Sequence, residues 1–207
     1  SLGRNRYAFV IVDDYSRFTW TLFLAHKSEA FHNFKYFLKR VQNEKNTTVT
    51  SIRSDHGGEF DHNLFADFCD ELGIEHTFSA PRTPQQNGVV ERKNRCLEEM
   101  ARTMLDEAKI SKKFWADAVS TASYVLNRAV IRPILIKTPY ELYKGRKPNL
   151  SHLRVFGCKC FIHNNGKDNL GKFDAKSDEG IFLGYSSRTK HIEFLIIEPK
   201  LLRNLLM

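Results

Sequence analysis

The chain has 207 residues, 42% of them hydrophobic, which is enough for one main core and a small appended unit and excludes a disordered tail. Lysine and arginine outnumber aspartate and glutamate by 32 to 24, giving a formal net charge of +8. This balance favours a polyanionic partner without proving one. No apolar run approaches the roughly 18 residues of a membrane-spanning helix, so we expect a soluble protein without a membrane partner.

The four cysteines do not form a familiar framework. They are Cys69, Cys96, Cys158 and Cys160. Their spacing fits neither a secreted disulfide scaffold nor a zinc site built from two CxxC pairs. We therefore expect a reducing intracellular compartment, and we interpret Cys158 and Cys160 as alternating residues of a strand.

The chain opens with a strand pattern followed by a helix pattern. Residues 7–12 are a continuous apolar run, and residues 19–24 follow after a polar turn, which predicts an antiparallel hairpin. Ser28 is placed to cap a helix. The apolar positions of this helix keep to one face: Phe31, Phe34, Phe37, Leu38 and Val41.

The middle of the chain alternates between short strands and helices. A strand over 48–53 ends next to Asp55, a helix over 64–72 follows, and residues 74–78 form another strand pattern. Residues 80–86 contain two prolines and predict an extended loop.

From Asn87 the apolar residues recur with helical spacing. The predicted core stripe consists of Val90, Leu97, Ala101, Met104 and Ala108. The opposite face carries Glu91, Asn94, Arg95, Glu98 and Arg102. This pattern predicts an amphipathic helix whose polar face holds a carboxylate beside donors suited to phosphate.

Helices dominate the next stretch, and short strands follow it. Residues 114–129 predict a helix, and a shorter helix over 138–143 begins with proline in its first turn. Strand patterns over 155–157, 160–162 and 180–185 then indicate a small β unit. The whole order predicts an α/β fold.

Two carboxylates are the main candidates for a metal site. Asp55 follows a strand and precedes a Gly-Gly pair, and Glu91 lies one turn into the helix predicted to open at Asn87. Together they could bind Mg²⁺ or Mn²⁺, which prefer oxygen ligands and support phosphoryl chemistry. Separately, Asp55 could cap a turn and Glu91 could be an ordinary glutamate near a helix start.

Four segments resemble one known family. They are VDDYSRFTW at 12–20, RSDHGGEF at 53–60, PQQNGVVERKNR at 84–95 and HLRVFGC at 152–158. In this order they resemble the retroviral-type integrase core, in the version carried by copia-type LTR retrotransposons. The 35 residues between Asp55 and Glu91 match the spacing of the second and third members of that family's D,D(35)E triad.

The resemblance implies a fold, a site and a reaction. The fold is a ribonuclease H-like mixed sheet with flanking helices over residues 1–150, followed by an SH3-like β segment over 151–207, incomplete at its C-terminus. Asp55 and Glu91 would be catalytic residues that bind Mg²⁺ or Mn²⁺. The reaction is 3′-end processing of element DNA and strand transfer into double-stranded target DNA. We expect a homo-oligomer when full length, working in the nucleus after an earlier stage in the cytoplasm.

The first carboxylate of the triad is expected on a strand upstream of residue 1, so the fragment alone should be inactive. Asp13 and Asp14 lie at the predicted hairpin turn, where aspartate bonds to the backbone. Without the upstream strand, we expect a gap between the strand at Phe9 and the strand at Ile52, about two strand spacings or roughly 9 to 10 Å wide.

Five residues near Glu91 are candidates for nucleic-acid binding: Gln86, Asn87, Lys93, Asn94 and Arg95. The plain alternatives are a flexible loop tip for the first two and a solvated helix face for the others. Two other functions stay open. One is a catalytically dead element remnant that only binds nucleic acid or a protein partner, and the other is a ribonuclease H-type nuclease.

Overall fold

The computed structural model describes residues 1, 3–55, 57, 63–79, 84–163, 172–173 and 176–185, and for residues 84–87 it describes the backbone alone. The helices are α1 (Ala30–Lys45), α2 (Asn63–Leu72), α3 (Pro84–Glu107), α4 (Trp115–Ala129) and α5 (Pro139–Lys144). The strands are β1 (Tyr7–Val12), β2 (Thr19–Leu24), β3 (Ser51–Ser54), β4 (Glu75–Phe78), β5 (Lys159–His163) and β6 (Ser177–Ile181). None of the described helices combines the length and apolar character needed to cross a membrane.

The chain divides into two compact units. The α1–α2 unit consists of Arg4–Ile11 and Leu22–Asn94. The α4–α5 unit consists of Ser1–Gly3, Val12–Thr21 and Arg95–Met207. The predicted boundary between residues 150 and 151 stays a prediction.

Over the described residues, the strands form three two-stranded sheets. β1 and β2 make the predicted antiparallel hairpin, with backbone bonds from Arg6 N to Leu24 O and from Asp13 N to Phe18 O. β3 and β4 pair in parallel from Ser51 opposite Glu75 to Ser54 opposite Phe78. β1 and β3 thus lie in separate sheets, which agrees with the predicted break between them, while its width stays a prediction.

Aromatic rings form the core of the α1–α2 unit. The ring of Phe65 on α2 is fully buried and lies 5.8 Å from Phe31 and 5.7 Å from Phe34, both on α1. Phe9 on β1 lies 6.4 Å from Phe34. Burying each such ring contributes about 1.5–3 kcal/mol, so the helical stripe read from the sequence is what attaches α1 to this core.

The predicted cap of α1 is wrong. Ser28 lies inside a 3-10 turn, Lys27–Glu29, and the residue that precedes α1 is Glu29, which makes no side-chain capping bond to the helix. Instead, Glu29 Oε2 accepts a hydrogen bond from Ala25 N at 3.0 Å. The entry to α1 is therefore a helical turn, which needs no serine cap.

The predicted loop over 80–86 is partly wrong. α3 begins at Pro84, because proline is well suited to the first turn of a helix, where its missing N–H is not needed. Residues 80–83 lie outside the described residues. Glu91 is consequently two turns into the helix rather than one. Of the predicted apolar stripe, Leu97 and Ala101 are buried, and Val90, Met104 and Ala108 are half-buried. Leu105, which the prediction did not include, is also buried.

The α4–α5 unit has a second aromatic cluster. Phe18 stacks on Tyr143 at 4.6 Å between ring centroids, and Trp20 meets both rings. Tyr143 lies on α5. The start of this helix is stabilised by a capping box between Thr138 and Glu141 and by Pro139 in the first turn. The short helix was predicted from Pro139 in its first turn, and the capping box is a finding of the structure.

The small β unit differs from its predicted strands. β5 and β6 pair antiparallel, with Lys159 opposite Ile181. Residues 155–157 are not a strand, because Gly157 has φ +82°, a left-handed conformation that interrupts extended backbone. Residues 182–185 lie beyond β6 and pack instead on α4, where Tyr185 stacks on Tyr124 at 4.2 Å.

Candidate functional site

Asp55 follows the last residue of β3 and is exposed. Its Oδ1 accepts a hydrogen bond from Gly57 N at 3.2 Å, and its carbonyl oxygen accepts one from Ser54 Oγ at 3.0 Å. β3 is paired in parallel with β4. The carboxyl ends of such strands are where α/β folds usually place ligands.

Glu91 lies on the solvent-facing side of α3. Its side chain is exposed, and so are those of Arg95, Glu98 and Arg102 along the same helix. The predicted polar face is therefore confirmed, apart from Asn94, which is half-buried. Glu91 and Asp55 both belong to the α1–α2 unit.

The donor chemistry of these two residues fits a hard divalent cation, since both offer carboxylate oxygens open to solvent. Among the described residues, no three histidine, cysteine, aspartate or glutamate side chains are grouped as a metal site. Two carboxylates do not complete a coordination shell, so a metal site formed by Asp55 and Glu91 would need further ligands from water, DNA or another segment. Their role as catalytic metal ligands stays a prediction.

Asp13 and Asp14 are engaged in the hairpin turn. Asp13 Oδ2 accepts hydrogen bonds from Ser16 N at 2.7 Å and from Ser16 Oγ at 2.5 Å. Asp14 forms an ion pair with Arg17. Asp13 thus bonds to the backbone of the turn, as the sequence indicated, whereas Asp14 pairs with a side chain of the same turn.

The candidate nucleic-acid residues fall into two groups. The side chains of Gln86 and Asn87 lie outside the described residues. Lys93 and Asn94 are half-buried, and Arg95 is exposed. Asn94 Oδ1 is buried and has no hydrogen-bond partner in the described structure, so this side chain is less available to DNA than Arg95.

The sequence interpretation missed His76. Its Nε2 lies 2.9 Å from Ser54 Oγ, and its ring packs edge-on against Phe65 at 4.8 Å and Phe78 at 4.4 Å. Burial lowers the pKa of His76. Strand alternation in Glu75–Phe78 puts His76 and Phe78 on one face, and this was the available signal.

Two family models match the chain. Residues 1–84 match the integrase core domain, and residues 158–200 match the retroviral polymerase SH3-like domain. The first match includes Asp55 and ends before Glu91.

Curated relatives match most of the chain. It is 40% identical over 185 residues to the retrovirus-related Pol polyprotein from transposon TNT 1-94 of Nicotiana tabacum, covering 89% of the chain and 14% of that protein. It is 36% identical to the Pol polyproteins from transposons RE2 and RE1 of Arabidopsis thaliana, covering 90% and 87% of the chain and 13% and 12% of those proteins. The chain thus spans only about one-seventh of these polyproteins.

Solved structures share the fold. The HTLV-2 integrase catalytic core domain, solved with magnesium in a trimeric form, aligns with a TM-score of 0.50 and 20% identity, covering 66% of this chain and 83% of that one. The simian T-cell lymphotropic virus intasome, solved with the PP2A regulatory subunit B56 gamma, aligns with a TM-score of 0.53 and 18% identity, covering 84% of this chain and 61% of that one. The fold is therefore ribonuclease H-like, as the motifs implied.

Proposed function

Because this chain belongs to the integrase core family, in the form found in copia-type retrotransposon Pol polyproteins, we propose that it is part of an enzyme that joins element DNA to target DNA. The observation that carries the proposal is the 40% identity to a transposon Pol polyprotein across 89% of the chain. The ribonuclease H-like fold supports it, because the integrase catalytic cores that it resembles have this fold.

The reaction has two steps of the same kind. In the first, water attacks the phosphodiester near each element end, the bond from phosphorus to the 3′ oxygen breaks, and a 3′ hydroxyl is freed. In the second, that hydroxyl attacks a target phosphodiester, and the target's own 3′ oxygen leaves. No covalent enzyme intermediate is required.

Asp55 and Glu91 are the residues that would bind Mg²⁺ or Mn²⁺. When bound, the metal supplies positive charge that stabilises the transferring phosphoryl group and lowers the pKa of the attacking hydroxyl. The Gly57 amide holds the Asp55 carboxylate in one orientation. We do not assign a third catalytic carboxylate to Asp13 or Asp14, because both side chains bond within the hairpin turn.

Arg95 and its neighbours would hold the DNA backbone. Arg95 and Arg102 are exposed on the same helix as Glu91, so phosphate contacts there would present the scissile bond to the site. The +8 net charge favours attraction of the chain to DNA. We further propose that the full-length protein is a homo-oligomer that acts on double-stranded DNA in the nucleus.

A strand-transfer assay with Mg²⁺ tests the proposal, using the chain joined to its upstream segment. Asp55→Asn and Glu91→Gln should each abolish joining of a labelled element end to target DNA. The matched controls are Asp70→Asn and Glu107→Gln, which remove exposed carboxylates from α2 and α3. Full joining by either site variant, with both controls active, would overturn the assignment.

A second candidate is a non-catalytic remnant that binds nucleic acid. The same assay separates the two functions: a remnant would retain DNA without joining it, even with the upstream segment restored. Cleavage of an RNA–DNA hybrid without joining would instead identify a ribonuclease H-type nuclease.

A further inference from the structure

Ser54 and His76 form a hydrogen-bonded pair next to Asp55. In the parallel register of β3 and β4, Ile52 lies opposite His76 and Ser54 lies opposite Phe78. Ser54 and His76 are therefore diagonal neighbours on one face, and their Oγ and Nε2 atoms lie 2.9 Å apart. Ser54 Oγ is also 3.0 Å from the carbonyl oxygen of Asp55.

The direction of these bonds follows from counting protons. A serine hydroxyl has a single proton, and a backbone carbonyl oxygen can only accept. Ser54 Oγ must therefore donate its proton to Asp55 O. The contact with His76 then requires that Nε2 carries a proton and donates to Ser54 Oγ. The relay runs from His76 Nε2–H to Ser54 Oγ–H to Asp55 O.

The surroundings of His76 keep this donor in place. Its ring lies against Phe65, which is fully buried, and against Phe78. These edge contacts restrict rotation of the imidazole. Burial lowers the pKa of His76, which favours the neutral form of the ring.

We propose that His76 is a positioning residue for Asp55, acting through the Ser54 hydroxyl. The relay fixes the backbone carbonyl of Asp55, while the Gly57 N–H fixes its carboxylate at 3.2 Å. The two hydrogen bonds hold the backbone and the side chain of the same residue. Loss of the bond to the carbonyl oxygen should therefore weaken the bond between the carboxylate and Gly57 N–H. This inference rests on the proposed function of Asp55 as a metal ligand. A ligand already held in one orientation loses less side-chain entropy when it binds the metal.

The test uses NMR on the 207-residue chain, without DNA. In the unaltered chain, the ¹⁵N shifts of His76 should show the Nε2–H tautomer. In His76→Phe, which keeps an aromatic ring but no donor, the Gly57 amide should exchange with solvent several-fold faster. Ser54→Ala should do the same, and the double variant should be no faster than either single variant, because the two residues act in one relay.

Two further variants separate positioning from packing. His76→Gln restores an N–H donor and should return Gly57 exchange towards that of the unaltered chain. His32→Phe removes an exposed histidine from α1 in the same unit and should leave Gly57 unchanged. A merely structural role for His76 would lower the melting temperature of His76→Gln and His76→Phe alike, without rescue of Gly57 exchange by Gln.

Binding of Mn²⁺ supplies the link to function. The dissociation constant for Mn²⁺ should rise several-fold in His76→Phe and stay near its original value in His76→Gln. An Nδ1–H tautomer, or unchanged Gly57 exchange in His76→Phe, overturns the positioning role. If Gly57 responds as expected while Asp55→Asn leaves Mn²⁺ binding unaltered, the positioning role stands and the metal assignment of Asp55 fails.

Discussion

Asn127 on α4 binds both backbone groups of Thr19 on β2. Thr19 N donates to Asn127 Oδ1 at 2.9 Å, and Asn127 Nδ2 donates to Thr19 O at 2.7 Å. Both residues are almost fully buried, at 3% and 2% exposure. Among the described residues, the Asn127 side chain thus pairs with the backbone of Thr19 in the way that a neighbouring strand would.

Asn127→Ala should destabilise the chain by about 1–3 kcal/mol, because it leaves the buried Thr19 N–H without an acceptor. Thr19 O would keep its second partner, Ser123 Oγ at 3.2 Å, so the loss falls mainly on the N–H. Urea denaturation measures the change. Asn43→Ala, which truncates an exposed asparagine on α1, is the control and should not lower the free energy of unfolding, because alanine is the better helix former.

Gly157→Ala should be one of the most destabilising small substitutions in the α4–α5 unit. A Cβ at this position would lie 2.3 Å from the Cβ of Ala108, and the residue has φ +82°. The close contact should lower the free energy of unfolding by roughly 1–3 kcal/mol. The left-handed conformation should lower it by roughly another 1–2 kcal/mol.

Gly145→Ala provides the matched comparison for Gly157→Ala. Gly145 also has a positive φ, +72°, but an added Cβ would meet nothing within 4 Å. Gly145→Ala should lower the free energy of unfolding only by the cost of the left-handed conformation, about 1–2 kcal/mol. Equal losses for the two variants in urea denaturation would contradict the close approach of Gly157 to Ala108.

Local signals explain which parts of the fold were predictable. The β1–β2 hairpin follows from two apolar runs and a polar turn, and α5 follows from Pro139 in its first turn. These signals act over a few residues. The start of α3 was misplaced because Pro84 is compatible with a loop and equally with a first helical turn. Residues 155–157 are apolar enough for a strand, and only the backbone at Gly157 forbids one.

The sequence was sufficient to name candidate residues of the site but not to predict which side chains are in contact there. Asp55 and Glu91 were chosen from their motifs and spacing, and their roles remain proposals. His76 escaped notice because its partner, Ser54, lies 22 positions away in the chain. Their contact depends on the parallel register of β3 with β4, and residue patterns within one strand do not specify the register with another.

Acid should weaken the α1–α2 unit through His76. The unfolded chain takes up a proton at the ordinary histidine pKa of about 6.5, whereas burial lowers the pKa of His76 in the folded chain. The stabilising contribution is therefore complete above about pH 6.5 and is lost as the pH falls through the lower, folded-state pKa.

Thermal melting from about pH 7.5 to about pH 5 measures this loss. The decrease in melting temperature on acidification should be smaller in His76→Gln, which has no titrating group at this position. His32→Gln, at an exposed site on α1, should follow the pH dependence of the unaltered chain. An identical pH dependence in His76→Gln would show that His76 does not contribute.

Arg95→Ala should weaken DNA binding by an amount that depends on the salt concentration and not on the DNA sequence. Arg95 is exposed on the same helix face as Glu91, and a phosphate contact there releases about one counterion. The slope of log K against log salt should therefore fall by about 1 for Arg95→Ala, with the same loss on unrelated duplexes. Lys39→Ala removes one positive charge from the exposed side of α1 and serves as the control for net charge. If both variants lower the slope equally, binding follows overall charge, and the α3 face is not the DNA-binding surface.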